Sequence, residues 1–232
     1  MLGSIYKRNG DLNRAFELFQ QSKEEAQQRN DVLGVLNSLH TLTDLFLYWD
    51  IPEYADIYAS EAVQVEKSMT AQNPMVSAQS YINKGRTLYK LEALDSIPFY
   101  IEEARKRCES LPYNSGMVDV NLLRGTYLTE RGGDSLKTGI QDLQNVACQG
   151  TTANSAKAYH QLALTYLKED AGKSAEMMLD SLYMLLSEND LPAYIHLEYE
   201  PIVNHYLKTK NHKKVEQFVQ LMLQEQEIFK AK

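Results

Sequence analysis

The chain has 232 residues, 44% hydrophobic and 24% charged, with 24 Lys and Arg against 31 Asp and Glu, a formal net charge of −7 and a pI near 5.3. An acidic chain without a long Lys/Arg run lacks the cations that neutralise phosphates, which excludes autonomous nucleic-acid binding for this segment. Eleven Gly and six Pro are too few for a disordered chain or a turn-rich β-protein, so long helices are the expectation.

From the N-terminus, Leu2, Gly3 and Tyr6 precede Gly10, and Ala15 and Phe19 follow it four apart. A large residue, a small one beside it, an aromatic three later, a turn and then the Ala/Phe pair describe two helices crossing closely. Next, Val32, Val35, Leu36, Leu39, Leu42 and Phe46 recur at helical spacing and predict one apolar helix face. The segment Asp50-Ile51-Pro52-Glu53 reads as a capping box, with Asp50 accepting from the first turn and Pro52 near the helix start, where its missing N–H costs nothing.

Asn73-Pro74, Leu111 to Gly116, Gln149 to Asn154 and Ser187 to Pro192 carry termination signals. Around Gly132 and Gly133 the spacing requires one extra residue. Leu162, Ala163, Tyr166, Ala175 and Leu179 repeat the first pattern, and Ala175, Met178, Leu179, Leu182, Leu185 and Leu186 continue one helix face. Pro201 falls inside an apolar run and is expected to kink or interrupt a helix.

The small residue that opens each second helix gives the register: Ala15, Ala55, Ile97, Gly139, Ala175 and Val215, at intervals of 40, 42, 42, 36 and 40. Six helix pairs follow, at about 1–29, 31–69, 74–110, 114–148, 152–187 and 192–230, with Ile97 and Val215 replacing the usual Ala. With its Leu, Gly, Tyr, Ala and Phe positions, the pattern resembles the tetratricopeptide repeat (TPR) family. The resemblance implies an all-α, α-α superhelix of about six pairs and about 12 antiparallel helices, a single solenoid over 1–232. Because Leu2 falls in mid-helix and the last helix runs through Glu225, Glu227 and Lys230 without a stop, the chain is expected to be a segment of a longer one.

Catalytic chemistry finds little purchase. His40, His160, His196, His205 and His212 fall in different repeats with no HExxH or His/Cys metal spacing, so no metal site and no cofactor is expected. No phosphate-binding Gly loop or GxSxG elbow is present. Glu24-Glu25 and Glu102-Glu103 fall on solvated helix faces. An enzyme would need an unanticipated cluster, such as His160 beside a carboxylate from a neighbouring repeat. Cys108 and Cys148 are expected as free thiols. Among fifteen tyrosines, Tyr6, Tyr127, Tyr166 and Tyr206 take the repeat's aromatic slot and are assigned to packing.

The resemblance also implies function. A TPR stack offers a concave surface, lined by the first helix of each pair, on which a peptide or partner helix lies. The groove slots project onto Asn37, His40 and Asp44, then Asn83, Arg86 and Lys90, then Asn121, and finally His160 and Lys168. The chaperone-tail carboxylate clamp of this family is not matched: Ser4, Asp44 and Arg86 stand at its slots, and an aspartate facing an acidic tail is repulsive. Arg86 remains a candidate bidentate anchor for a carboxylate on a different peptide. The expectation is a non-enzymatic scaffold with a protein or peptide partner. The alternative is the sensing region of a bacterial signalling or transcriptional regulator whose output domain lies outside this chain. No membrane span is expected in a soluble segment, cytoplasmic or periplasmic, and a homodimer is one way to cap an exposed terminal repeat.

Overall fold

A computed structural model describes residues 2–8, 10–69, 73–111, 116–189 and 197–230, the side chains of 8, 189 and 226–230 excepted. The described residues form twelve α-helices and no strand: α1 (Leu2–Arg8), α2 (Leu12–Gln28), α3 (Val32–Tyr48), α4 (Pro52–Ser68), α5 (Pro74–Lys90), α6 (Ile97–Glu109), α7 (Met117–Arg131), α8 (Leu136–Gln149), α9 (Thr152–Lys168), α10 (Gly172–Asn189), α11 (Tyr199–Lys208) and α12 (His212–Lys230). Packing divides the chain into two compact units, 1–7 with Asp11–Tyr127 and 8–10 with Leu128–Lys232. Each is described by itself below.

Helix starts are fixed by short polar side chains. Asp11 accepts from the Arg14 N–H, Asp31 from that of Gly34, Asn73 from those of Met75 and Val76, and Thr151 from that of Asn154. Helix ends are fixed by one residue in the left-handed region: Gly10, Asn30, Asp50, Glu92, Asp170 and Lys210, with φ between 54° and 77°. The next N–H then reaches back five residues to a carbonyl, as from Ile51 to Phe46 and from Asn211 to Tyr206, both at 2.9 Å, which satisfies carbonyls the helix leaves open.

This turn overturns the capping reading of Asp50. Its φ is +56°, so it ends α3 rather than capping α4; the cap position is Ile51, which makes no side-chain bond, and only Pro52 stands where the sequence put it. Asp50 lies 3.6 Å from Lys90 instead. Pro201 also differs from expectation: α11 begins at Tyr199, so the proline sits in a first turn, where its lost N–H is one no carbonyl needs. Gly132 and Gly133 take φ of +64° and +57° and lead into a 3-10 turn, Gly133–Ser135, which absorbs the extra residue of that repeat.

In the first unit α3 is the central element, buried on nearly every side from Val35 to Tyr48. Leu36, Leu39, Leu42 and Leu45 have no exposed surface, each contributing about 1.5–3 kcal/mol. Phe46 is ringed by Phe16, Trp49, Tyr54 and Tyr58 at centroid distances of 5.7, 5.5, 5.4 and 5.5 Å. Between α4, α5 and α6 lies a buried ion pair. Glu66, with no exposed surface, accepts from Tyr81 Oη at 2.8 Å and from Arg107 Nε and Nη2 at 3.2 and 3.1 Å. Burial and the hydrogen bond to Glu66 push the Tyr81 phenol up.

In the second unit, Leu179, Leu182, Ile202, Tyr206 and Phe218 pack α9 to α12 together, with the Tyr206 and Phe218 rings stacked at 5.8 Å. The register residues Ala15, Ala55, Ile97, Gly139 and Ala175 are all buried, and Val215 is half-buried. At Gly139 a Cβ would stand 2.8 Å from the Thr129 backbone nitrogen, so only a glycine permits this approach of α8 to α7.

Candidate functional site

In the first unit α3 and α5 lie side by side, which brings the polar positions of two first helices together. Arg86 Nη1 donates to Asp44 Oδ1 at 2.7 Å and to Asn83 Oδ1 at 3.2 Å. Asn83 Oδ1 also receives Gln79 Nε2 at 2.8 Å, and Asn83 Nδ2, fully buried, makes no hydrogen bond. Arg86 and Asp44 keep 33% and 38% of their side chains exposed, so this pair is reachable.

Lys7 joins them from α1. Its Nζ stands 5.6 Å from the centre of the Tyr48 ring, and burial lowers its pKa while the Asp44 charge raises it. One turn before Asp44, His40 Nε2 is 2.8 Å from Ser80 Oγ. Burial pushes the His40 imidazole down to about 4, against the pull of Asp44, so the ring is neutral near pH 7. Hydroxyl and imidazole thus pair as in a nucleophilic site. Ser80, however, has no exposed surface, and no substrate carbonyl can approach it. The pair ties α3 to α5.

The remaining sequence candidates sort by exposure. Asn37 is exposed on α3, Lys90 Nζ lies 3.6 Å from Asp50, and Asn121 is half-buried with its Oδ1 sealed and without a hydrogen-bond partner. In the second unit Lys168 Nζ lies 2.7 Å from Glu130 Oε2. His160 is buried, and its Nε2 lies 3.1 Å from the Glu198 backbone nitrogen and 3.3 Å from the Glu198 carbonyl oxygen. His40 therefore ties α3 to α5, His160 is bonded to the backbone just before α11 and Asn83 bonds within α5, whereas Asn37, Asp44, Arg86, Lys90 and Lys168 present side chains to solvent.

Lys7 carries a sequence signal that the groove slots leave out: it stands four residues after the small residue Gly3, the same window that yields Lys90 after Gly85 and Lys168 after Ala163. Ser80 and Gln79 carried no such signal, since they act through helix neighbours and a cross-helix bond. The Glu102-Glu103 pair is committed to cations, Glu102 to Arg105 and Glu103 to Lys106 and Arg107, which hold both carboxyls below the usual range. Cys108 is buried and Cys148 exposed, both as free thiols. Among the described residues no group of three or more His, Cys, Asp or Glu could hold a metal ion, and no helix is long and apolar enough to cross a membrane.

Stacked helix pairs of this kind recur in solved structures. The chain is similar to BtubC (BKLC) from P. vanneervenii, with a TM-score of 0.60 at 16% identity over 95% of this chain and 91% of that one. It is also similar to a single-residue variant of a protein assigned as a kinesin light chain in Podosopora anserina, which has nearly identical TPR-like repeats. There the TM-score is 0.57 at 14% identity over 82% of this chain and 93% of that one. The fold is a TPR-like helical repeat. No family model matches the sequence, and no curated protein does. Both structural neighbours are repeat proteins, and their likeness at this identity is one of fold alone.

Proposed function

We propose that the chain is a non-enzymatic scaffold whose first-helix face in the first unit takes a segment of another polypeptide, with Asn37, Asp44, Arg86, Lys90 and Asn121 as contacts; Lys168 is a contact on the second unit's own first-helix face. The observation that carries this reading is the Asp44–Arg86 pair. It is one-third exposed, flanked by Lys7, and seated on a floor of Asn83, His40 and Ser80 that rotates little because each is buried. Such a floor pre-organises the charged groups above it, which lowers the ordering cost of binding. The TPR-like fold supports a role in protein interaction.

Peptides selected from a random display library against the folded protein provide the test. Arg86→Ala combined with Asn37→Ala is expected to weaken the selected peptides by about tenfold or more, the loss of one charge-assisted bond and its neighbour. Recovery of no peptide, or binding indifferent to this double change while circular dichroism stays unchanged, would count against the reading.

A further inference from the structure

The second helices of the first unit carry a face that the first-helix reading leaves unexplained. Tyr54 and Ile57 on α4 and Phe99 on α6 are 55%, 59% and 52% exposed, and Ile51 at the start of α4 is 36% exposed. Ile57 and Phe99 occupy the same register position, two residues past Ala55 and Ile97. Their helices are neighbours: Arg107 of α6 bonds Glu66 of α4, and the Tyr100 phenol is raised in part by Asp56, the residue before Ile57. The Phe99 ring meets that of Tyr100 edge-on at 5.1 Å, and the Tyr54 ring stacks on Phe46 at 5.4 Å, so both aromatics are held in place. Large apolar side chains exposed on two linked helices, two of them at the same register position, mark a contact surface rather than a random exposure.

The uncompensated charges at this end of the helices are negative. Glu53 in the first turn of α4, and Glu92 and Asp95 in the connection from α5 to α6, are exposed and make no ion pair among the described residues, and Asp50 shares the single ammonium of Lys90. Asp56 beside Ile57 is matched by Lys84 and Asp50 by Lys90. That leaves the three carboxylates Glu53, Glu92 and Asp95 uncompensated near the apolar residues, a charge that complements lysines and arginines beside apolar side chains. α4 and α6 both pack on α5 with Ile57 and Phe99 at the same register position, and helix surfaces ridged in this way accept a further helix. We infer that this edge of the first unit, formed by Ile51, Tyr54, Ile57 and Phe99 with Glu53 and Asp95, docks a basic amphipathic helix of a partner protein.

None of Ile57, Phe99, Glu53 and Asp95 is among the first-helix contacts, so the two readings fail separately. The probe is a dye-labelled amphipathic peptide of leucine and lysine, about 18 residues long so that it can form a helix, beside its counterpart with Glu for every Lys. Anisotropy should show saturable binding of the Lys peptide alone. Ile57→Ser with Phe99→Ser, and separately Glu53→Lys with Asp95→Lys, should weaken it by about tenfold, as expected for central anchors and for reversed rim charge. Arg86→Ala should leave it unchanged. All four positions are exposed, so circular dichroism should not move. No binding, equal binding of the Glu peptide, or indifference to these changes overturns the inference. So does self-association in sedimentation that the same changes abolish, because a second copy of the chain would then cover the face.

Discussion

At the scale of the residue, burial converts His40 from a surface ligand into a pH-dependent tie. Its folded pKa near 4 lies below the ordinary 6.5, so between those values the unfolded chain binds a proton that the folded chain refuses. Stability contributed at neutral pH is therefore lost as pH falls from about 6.5 to about 4, by roughly 2–3 kcal/mol in all. His40→Gln, whose amide can still meet Ser80, should flatten that part of the profile. Urea midpoints of both proteins at pH 7, 5.5 and 4.5 check this, and parallel profiles would refute it. Lys210 offers a second residue-level case. It holds φ of +55°, which costs a side-chain-bearing residue about 1–2 kcal/mol and costs glycine almost none. Lys210→Gly should raise the thermal midpoint, offset in part by the greater freedom of glycine in the unfolded chain; a lower midpoint contradicts the assignment of strain.

At the scale of the element, the distinction between what the sequence discloses and what it hides becomes physical. Intervals of 36 to 42 residues disclose the helices, because a small residue must recur wherever two helices cross. The stop of α3 is hidden, because Asp50 suits an N-cap and a left-handed turn alike, and only the turn geometry required by Ile51 decides between them. The inner site is hidden for a related reason: Asn83 looks like a groove residue by spacing, yet its helix is rotated so that Arg86 reaches outward and Asn83 inward. The Gly139 contact separates propensity from packing. Alanine is the better helix former by about 1 kcal/mol, but its Cβ would meet backbone at 2.8 Å, which cannot swing aside. Gly139→Ala should therefore destabilise by about 1–3 kcal/mol, and a neutral or raised denaturation midpoint would show that α8 can shift. A larger cost attaches to Glu66. Glu66→Ala leaves the Arg107 guanidinium and Tyr81 hydroxyl without their buried acceptor, for an expected loss of about 3–5 kcal/mol, measured by urea unfolding.

At the scale of the whole molecule, stability in a repeat fold is a sum of local terms and contacts between neighbouring pairs, so it need not be uniform along the chain. Ion pairs recur between successive pairs within each unit: Lys23 with Glu61, Arg86 with Asp44, Lys90 with Asp50, Lys168 with Glu130 and Lys214 with Asp180. Surface pairs of this kind contribute roughly 0–1 kcal/mol each and fix register more than strength. The strength lies in the apolar helices, and these are unequal. α3 buries eleven of its seventeen residues, including Leu36, Leu39, Leu42 and Leu45, and contacts α2, α4 and α5. α1 has seven residues, leaves Leu2 and Ile5 64% and 51% exposed, and is fixed chiefly by Gly3 against the Phe19 ring and by Lys7 over Tyr48. Opening α1 therefore sacrifices few contacts, whereas opening α3 exposes the centre of its unit. Native-state hydrogen exchange should find the α3 and α5 amides the slowest in the first unit and those of α1 among the fastest. Because Lys7 is the link between α1 and the Asp44–Arg86 pair, a ligand seated at that pair should slow α1 exchange more than α3 exchange; protection of α1 equal to that of α3 without ligand would contradict the ordering.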